Sequence, residues 1–447
     1  MVIRLDKKDK IFIGILVLVH AVFFCLACLF QKHMMGDSAE YLLEAANIKE
    51  YFIFSSAESP TVLAPEALTQ RQPLYPLFLL LVGLISMKYF VVVLQIAQGL
   101  LSIFNIWYVR KVLLSIGYQK KYDWLLLLFV AAYPAQFINA NTIAPDILLQ
   151  TFTLLYFGNF IALFQKKELK YALFMSLALI AGIMVKPVLY PFVWVHVIII
   201  MFICVRHKML SVRTLLLSVT PLCAMLLYNY FNYVRTGKFH FSSNQAQNAS
   251  YYYYPFIMER EGMDSANRFL ENEKQAYYSY PEYKDRYDHA NQRGMEMLKQ
   301  NFFPYLLFHL KNSARIFIEP GKAEMDLFTG KLSYTQLYSK EQTGFYATWK
   351  TKGMSGMGAY IQNNPSLVFV VLALLFNCVR LAGLFWFFRD SKIHWIVRLF
   401  VFSFAAYFAV AAGPIANTRY FLPVSLIVIG CAVLGFTNRR NKTAATA

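Results

Sequence analysis

Apolar runs of bilayer-spanning length recur along this chain, and they limit the folds open to it. A helix needs about 20 apolar residues to cross the hydrocarbon core of a bilayer. The chain is 58% hydrophobic and only 15% charged, whereas soluble domains carry about 25% charged residues. We therefore predict an all-α polytopic membrane protein with about ten transmembrane helices. The predicted spans are residues 11–30, 89–109, 122–138, 147–164, 171–185, 188–205, 214–233, 366–388, 395–412 and 420–436.

Two of these spans need a specific interpretation. Residues 1–30 have a basic start and an apolar core, as a secretory signal peptide does. The apolar run Ile11–Phe30 is too long for a typical signal peptide, and no A-x-A-like cleavage site follows it. We interpret it as a retained first span. Arg380 lies within a later span near its predicted cytoplasmic end, and we expect its side chain to snorkel to the membrane surface.

Lysine and arginine are distributed unequally between the two sides of these spans. The N-terminus, residues 110–121, 166–170, 206–213 and 389–398, and the C-terminal tail hold twenty of them, whereas the short turns at 139–146, 186–187 and 413–419 hold two. Cytoplasmic loops are enriched in these residues, so both termini are predicted to be cytoplasmic. The same asymmetry explains most of the net charge of +18, and no nucleic-acid partner is needed to account for it.

Composition divides the chain into three parts. Residues 1–233 hold the first seven spans, with a first outer loop at 31–88, and residues 366–447 hold the last three spans and the tail. Residues 234–365 form a long polar segment, predicted to be a mainly helical extracytoplasmic loop domain. The run Pro73–Ile85 is too short to span, and we expect an outer juxtamembrane helix there. Tyr251–Tyr254 suit either carbohydrate stacking or the membrane interface.

The first outer loop is acidic and follows the first span directly. Residues 31–76 contain six carboxylates against three basic residues. Asp37, Tyr41 and Ala45 are each four residues apart, so they share one face of a predicted helix. A carboxylate on an ordered helix beside a membrane is well placed to act as a catalytic base. The alternative for Asp37 is a helix N-cap on a solvated face.

The short outer turns also carry ionisable residues. Asp146, Lys186 and Arg419 each lie in one of these turns, and with Asp37 and Arg71 they place two carboxylates and three cations at one membrane face. Ionisable groups near the hydrocarbon are costly, so they are candidates for function. Each also has a plain alternative: Asp146 as a helix N-cap, and Lys186 and Arg419 as snorkelling anchors.

Such a set suits the chemistry of a lipid-linked phosphate. The cations would hold a phosphate leaving group at the interface. A carboxylate would take the proton of an acceptor hydroxyl. Two carboxylates could also share a divalent cation, although the sequence contains no pattern of a closed metal site.

Several short motifs occur along the chain in a fixed order. They resemble the motifs of GT-C membrane glycosyltransferases, in particular the ArnT and protein O-mannosyltransferase-like superfamily. The resemblance covers about the first 245 residues and, less fully, the last spans. The motifs are Gly36-Asp37-Ser38-x-x-Tyr41-x-x-x-Ala45, Arg71-x-Pro73-Leu74-Tyr75-Pro76, Pro145-Asp146, Lys186-Pro187, Tyr228-Asn229-Tyr230 … Thr236-Gly237-Lys238-Phe239 … Ser242-Ser243-Asn244, and Arg419-Tyr420-x-x-Pro423.

The resemblance implies a glycosyltransferase that moves a sugar, with inversion, from a polyprenyl-phosphate donor to an acceptor hydroxyl. The reaction would occur at the outer face of the membrane. In a bacterium, that membrane would be the inner (plasma) membrane. Asp37 matches the family's catalytic acidic position, and Asp146 matches a second acidic position. The family often has Asp-Glu where this chain has Asp37-Ser38. That difference leaves the base in place but puts in doubt a metal ion held by Asp37 and Asp146.

The resemblance also implies a set of substrate-contacting residues. Cations are expected near the donor phosphate, and aromatic residues of the same motifs are expected beside them. The expected substrate-binding residues are Arg71, Tyr75, Asp146, Lys186, Arg419 and Tyr420. The partners would be the lipid-linked donor, a lipid, glycan or protein acceptor, and membrane lipids.

Two other functions remain open from the residues. A flippase or transporter of lipid-linked sugars should carry ionisable groups near the middle of the membrane. A glycan ligase or polymerase is expected to depend on basic residues more than on a carboxylate in the first outer loop. The sequence specifies neither the sugar, the polyprenyl length nor the acceptor.

Overall fold

The structure is a computed structural model that describes residues 6–58, 64–331, 345–362, 364, 367–415 and 417–446. All regular structure within these residues is helical, with no strand, which confirms the predicted all-α class. Residues 332–344, 363 and 365, which belong to the predicted loop domain, lie outside the described residues, as does the first residue of the predicted span 366–388.

Nineteen α-helices follow one another through the described residues. Short 3₁₀ helices at Lys120–Tyr122, Pro187–Leu189 and Gly413–Ile415 join some of them. The helices are α1 Lys7–Phe30, α2 Ser38–Tyr51, α3 Leu74–Ile85, α4 Phe90–Ser115, α5 Asp123–Ala131, α6 Ala135–Ala140, α7 Asp146–Lys166, α8 Leu169–Val185, α9 Phe192–Arg206, α10 Val212–Thr236, α11 Asn244–Glu261, α12 Met263–Tyr278, α13 Tyr283–Gln300, α14 Phe302–Arg315, α15 Lys322–Phe328, α16 Phe345–Gln362, α17 Leu367–Arg389, α18 Trp395–Ala412 and α19 Thr418–Thr446.

Seven of the described helices are long and apolar enough to cross a membrane. They are α1, α4, α7, α10, α17, the stretch Trp395–Ile415 that begins with α18, and the part of α19 from Thr418 to Arg439. The structure therefore agrees with a multi-pass membrane protein. Helices α3, α8 and α9 are apolar but shorter, between 10 and 17 residues. The predicted total of ten spans and their orientation remain predictions.

The predicted third span, 122–138, is not one continuous helix. It is divided into α5 and α6, and Pro134 lies between them as the residue before α6. Proline has no backbone N–H and disfavours helical geometry in the residue before it, so it breaks the helix here. Glutamine side chains bind carbonyls just beyond α6: Gln95 Nε2 donates to Asn141 O at 3.0 Å and Gln98 Nε2 to Thr142 O at 2.7 Å. Irregular backbone is tolerated inside such a bundle only when its polar groups are bound in this way.

Helix α19 forms the centre of the bundle. It packs against α4, α5, α7, α17 and α18, and its residues from Phe421 to Leu434 are almost all buried. Glycines allow the backbones of α17 and α19 to approach closely. A Cβ atom on Gly435 would clash with the carbonyl oxygen of Gly383. Small residues at such crossings are typical of helix packing in membranes.

At one end of the bundle, Arg110 joins three segments. Its side chain is fully buried and donates to Asp9 Oδ1 at 2.8 Å and to Asp123 Oδ2 at 2.6 Å. Lys120 also donates to Asp9, at 2.9 Å. The start of α1, the end of α4 and the start of α5 therefore meet, as expected if the N-terminus and residues 110–121 lie on one side of the membrane.

Helices α11 to α14 form a second, smaller core beside the bundle. These helices agree with the prediction that the polar segment 234–365 is mainly helical. The four consecutive tyrosines are used in different ways: Tyr253 is buried in this core, Tyr252 donates to Ala411 O at 2.7 Å, and Tyr254 donates to Asn267 Oδ1 at 2.8 Å. Tyr251 is 51% exposed, so it is the member of this run most open to an outside partner.

The snorkelling interpretation of Arg380 is wrong. Its side chain is 2% exposed and donates from Nη2 to the carbonyl of Phe317 at 2.7 Å. The neighbouring Asn377 donates to Glu319 O at 2.9 Å. The chain that follows α14 therefore enters the bundle beside α17, and these side chains bind carbonyl groups that have no helical partner.

Candidate functional site

Asp37 lies immediately before α2 but does not cap it through its side chain. Within the described residues the carboxylate makes no hydrogen bond to the first turn. Ser38 holds this helix start instead: its hydroxyl accepts from Met35 N at 2.6 Å and donates to Ile143 O at 2.6 Å. The second bond ties the start of α2 to the turn before α7. The Asp37 carboxylate is therefore free to face other elements.

Arg419 links the two carboxylates that the sequence placed in separate loops. Its Nη2 donates to Asp37 Oδ2 at 2.9 Å, and its Nε donates to Asp146 Oδ2 at 2.6 Å. Asp146 is the first residue of α7 and Arg419 the second residue of α19. The planar guanidinium presents several donors in a fixed geometry, so one side chain can bind two carboxylates.

Lys186 completes the buried part of this cluster. Its Nζ lies 2.9 Å from Asp146 Oδ1 and 4.9 Å from the centre of the Tyr420 ring. It follows the last residue of α8, where the 3₁₀ helix at Pro187–Leu189 turns the chain toward α9. The N-terminal ends of α7 and α19 and the C-terminal end of α8 thus meet at the end of the bundle opposite Arg110.

Arg71 approaches Asp37 from the other side. Its Nη1 lies 3.7 Å from Asp37 Oδ2, and its Nε donates to Glu40 at 2.5 Å. The guanidinium lies over the ring of Tyr41 at 5.1 Å. Tyr75 packs against Tyr41 in turn. It is fully buried, its ring lies edge-on to the Tyr41 ring at 5.0 Å, and its hydroxyl donates to Gln98 Oε1 at 3.0 Å. In this structure Tyr75 therefore supports Tyr41 rather than facing an opening.

We call Asp37, Glu40, Arg71, Asp146, Lys186 and Arg419 the charged cluster. It contains three carboxylates and three cations, so its formal charges balance. The side chains of Asp37, Arg71, Lys186 and Arg419 keep 14%, 17%, 13% and 11% of their surface exposed, whereas Asp146 is fully buried. Glu40 is the most exposed of the six, at 32%, so a ligand can reach five members of the charged cluster, while Asp146 anchors them from inside.

Burial and neighbouring charges act in opposite directions on these groups. Burial alone would raise the pKa of Asp37, but the positive charge of Arg419, followed by those of Arg71 and Lys186, holds it below its ordinary value. Burial lowers the pKa of Lys186, and the Asp146 carboxylate opposes this effect. Asp37 is therefore ionised in the free protein and a weak base as long as its cations remain on it.

The described residues do not form a closed metal site. No group of three or more His, Cys, Asp or Glu side chains among them is arranged to hold a metal ion. Asp37 and Asp146, the pair that could have shared a metal, both bind Arg419 instead. One carboxylate oxygen, Asp37 Oδ1, is buried and has no partner among the described residues.

The structure also brings in a carboxylate that the sequence did not indicate. Glu324 in α15 is 2% exposed and accepts hydrogen bonds from Thr418 Oγ1 and, at 3.1 Å, from the backbone N–H of Arg419. Burial raises its pKa. Glu324 holds the start of α19, and therefore the position of Arg419. It lies far from the other motifs in sequence, so no local pattern could have identified it.

An apolar cavity lies on the other side of α15. Its volume is about 720 Å³. Met325 and Phe328 of α15, one and four residues after Glu324, line it, and Phe328 shares a small apolar cluster with Met35, two residues before Asp37. The remaining walls come from α1, α5, α6 and α17. Helix α15 thus contacts both the cavity and, through Glu324, the start of α19 that carries Arg419.

The chain matches no protein-family model, and no curated protein is significantly similar to it. The resemblance to GT-C glycosyltransferases therefore remains a prediction from the motifs.

Proposed function

We propose that this protein is a membrane glycosyltransferase that moves a sugar from a polyprenyl-phosphate donor to an acceptor hydroxyl, with Asp37 as the general base. The observation that carries the proposal is the charged cluster: within it a partly exposed carboxylate, Asp37, lies among three partly exposed cations, beside the ends of apolar helices. A lipid-linked phosphate has a charged phosphate group and an apolar chain, so its binding site needs charged side chains beside an apolar surface.

The cations suit the change in charge during sugar transfer. A polyprenyl-phosphate sugar is a phosphodiester with one negative charge. When its sugar–oxygen bond breaks, the electron pair remains on the phosphate oxygen and the leaving polyprenyl phosphate gains a second negative charge. Arg71, Lys186 and Arg419 would therefore bind the transition state more strongly than the ground state, which is the condition for catalysis.

The same change would activate Asp37. In the free protein Arg419 and Arg71 lie 2.9 Å and 3.7 Å from Asp37 Oδ2 and keep it a weak base. A phosphate that draws these cations toward itself reduces their effect on Asp37, whose pKa then rises. The carboxylate takes the acceptor hydroxyl proton while the acceptor oxygen attacks the anomeric carbon from the face opposite the phosphate. This attack inverts the configuration.

The apolar cavity beside α15 supports a lipid-linked substrate. It is lined mainly by aromatic and aliphatic side chains, and contact with such surfaces stabilises hydrocarbon chains. Helix α15 contacts both the cavity and the start of α19. A lipid chain in the cavity would place its phosphate near this end of the bundle.

The position of the charges favours the enzyme over the transporter alternative. A transporter is expected to hold its substrate near the middle of the membrane. Asp146 and Arg419 are instead the first and second residues of apolar helices long enough to span it. The glycan ligase and polymerase alternatives share this placement and differ in how much they depend on Asp37.

Transfer by the purified protein tests the proposal. The protein is reconstituted in lipid and incubated with a panel of polyprenyl-phosphate sugars together with lipid, glycan and peptide acceptors that carry free hydroxyl groups, and the released polyprenyl phosphate is measured. Asp37→Asn keeps the shape of the side chain but cannot take a proton, so turnover should fall about 10²–10⁴-fold. Asp285→Asn makes the same change at an exposed position of α13 and should have no effect.

Two results would contradict the proposal. If no donor of the panel releases polyprenyl phosphate, the protein is not an enzyme of this class. If Asp37→Asn turns over like the unmodified protein, the acid–base mechanism is wrong, and a ligase-type mechanism that depends on the cations becomes the better account.

A further inference from the structure

A second group of buried polar side chains lies beside the charged cluster. Glu44 is three residues after Tyr41 and four residues after Glu40. It therefore extends the same face of α2 by one turn. It is 2% exposed, and its Oε2 has no hydrogen-bond partner among the described residues. A buried polar atom without a partner costs about 1–3 kcal/mol, so its presence needs an explanation.

Other atoms in the same region share this property. Gln72, next to Arg71 in sequence, is 1% exposed, and its Nε2 has no partner within the described residues. On α10, Asn229 Oδ1 and Arg235 Nε are likewise buried and unpartnered there. One hydrogen bond connects this end of α10 to the loop after α2: Arg235 Nη1 donates to Phe54 O at 3.4 Å.

Glu44 lies one helical turn after Glu40, whose carboxylate binds Arg71. The positive charges of Arg235 and Arg71 both act on its carboxyl group, although burial outweighs them and raises the pKa of Glu44 from 4.5 to about 8. A neutral carboxyl group can donate one hydrogen bond and accept others. It is thus suited to an uncharged partner that has both donors and acceptors.

We propose that Glu44, Gln72, Asn229 and Arg235 line a subsite for the hydroxyl groups of the donor sugar. This inference rests on the proposed function. The four side chains offer both donors and acceptors, as hydroxyl groups require. The sugar of the donor is joined directly to the phosphate. Arg71, which is a proposed phosphate ligand, is adjacent to Gln72 in sequence and binds Glu40, one helical turn before Glu44.

The subsite predicts that removing Glu44 weakens sugar recognition without weakening the fold. In Glu44→Leu the unpartnered carboxyl group is replaced by an apolar side chain of similar size, which is expected to leave the melting temperature unchanged or raise it. Glu44→Gln keeps one donor group and one acceptor and should retain most of the function. Glu50→Leu, an exposed position on the same helix, is the matched control.

The experiment compares two lipids bound to the reconstituted protein: polyprenyl phosphate without a sugar, and a polyprenyl-phosphate sugar that the unmodified protein uses. Glu44→Leu should weaken binding of the sugar-bearing lipid about tenfold, the effect expected for one buried hydrogen bond. Binding of the sugar-free lipid should not change. Gln72→Leu should likewise weaken binding of the sugar-bearing lipid alone. If Glu44→Leu fails to fold, the Gln72→Leu result tests the subsite in its place.

The outcomes separate this inference from the proposed function. Equal loss of both lipids with a lower melting temperature would make Glu44 a structural residue and overturn the subsite. Unchanged binding of both lipids in Glu44→Leu and Gln72→Leu would overturn it as well. If the unmodified protein binds neither lipid, the proposed function fails and the subsite fails with it.

Discussion

The contact most easily tested is the one that Arg419 makes with two carboxylates. We consider Arg419→Lys, which keeps the positive charge and removes the planar guanidinium. The arginine donates through Nη2 to Asp37 at 2.9 Å and through Nε to Asp146 at 2.6 Å. A lysine ammonium is a compact charge on a flexible stem and cannot reproduce this planar geometry.

The distances indicate which contact is lost. Asp146 retains Lys186 at 2.9 Å, whereas the other cation near Asp37 Oδ2, Arg71, lies at 3.7 Å. Lysine at position 419 should therefore leave Asp37 the less compensated carboxylate. A hydrogen bond to a charged group contributes about 1.5–3 kcal/mol. Arg419 is also a proposed ligand of the donor phosphate, and losing one such bond should lower donor affinity about tenfold to a hundredfold, since about 1.4 kcal/mol is a tenfold change in an equilibrium constant.

The assay combines stability with a double-mutant cycle. Thermal unfolding is measured in one detergent for Arg419→Lys, Asp37→Asn and the double variant. If the two side chains are in contact, the double variant loses less stability than the sum of the single variants, with a coupling of about 0.5–3 kcal/mol. Arg213→Lys, an exposed position on α10, controls for the loss of guanidinium alone.

Additive effects would refute the geometry. Distant sites add within about 0.3–0.5 kcal/mol, so additivity on this scale would mean that Arg419 and Asp37 do not touch. The phosphate role would fail separately, if donor affinity and turnover stayed unchanged in Arg419→Lys.

Three further predictions follow from other parts of the structure. Arg71→Gln should lower kcat more than it raises KM in donor kinetics, because the phosphate charge grows in the transition state; a raised KM with an unchanged kcat would show that Arg71 binds the ground state and the transition state equally. Reporter fusions after residues 118, 168, 209 and 447 should be cytoplasmic and after 60 and 300 extracytoplasmic; a cytoplasmic signal at 300 would overturn the topology. Burial raises the pKa of Glu44 from 4.5 to about 8, although the positive charges of Arg235 and Arg71 oppose this rise. The side chain of Tyr228 also interacts with this carboxyl group. The folded state therefore binds this proton more tightly than the unfolded state. The stability that results is complete below pH 4.5 and is lost as the pH rises through about 8. Melting temperature should fall over this window in the unmodified protein and less steeply in Glu44→Gln; parallel curves would refute the shift.

Local pattern was sufficient for much of the secondary structure. The helices of the polar segment and the apolar helix α3 follow from composition and hydropathy, which depend on neighbouring residues. Pro134 shows the limit of this approach. The apolar run around it predicted one span, but the proline interrupts the helix, and Gln95 and Gln98 on α4 bind the carbonyls that follow.

Long side chains near the ends of spans were harder to interpret. Arg380 has the sequence context of a snorkelling residue, and only the packing of the chain after α14 shows that it binds a buried carbonyl group. Glu44 and Glu50 look equivalent in an acidic loop. Helical periodicity places Glu44 on the face of Asp37 and Tyr41, so this signal was present, but the burial of Glu44 in the folded chain could not be read from it.

The sequence by itself determined that the chain is helical and apolar, and which charged residues lie at the ends of its apolar runs. These properties depend on short stretches, because hydropathy and helical period act over a few turns. Only the tertiary structure decided which charges meet. Asp37 and Arg419 are 382 positions apart, and they touch because α19 is buried at the centre of the bundle and Glu324 fixes its first turn. Packing between distant helices sets such contacts, and no local pattern encodes them.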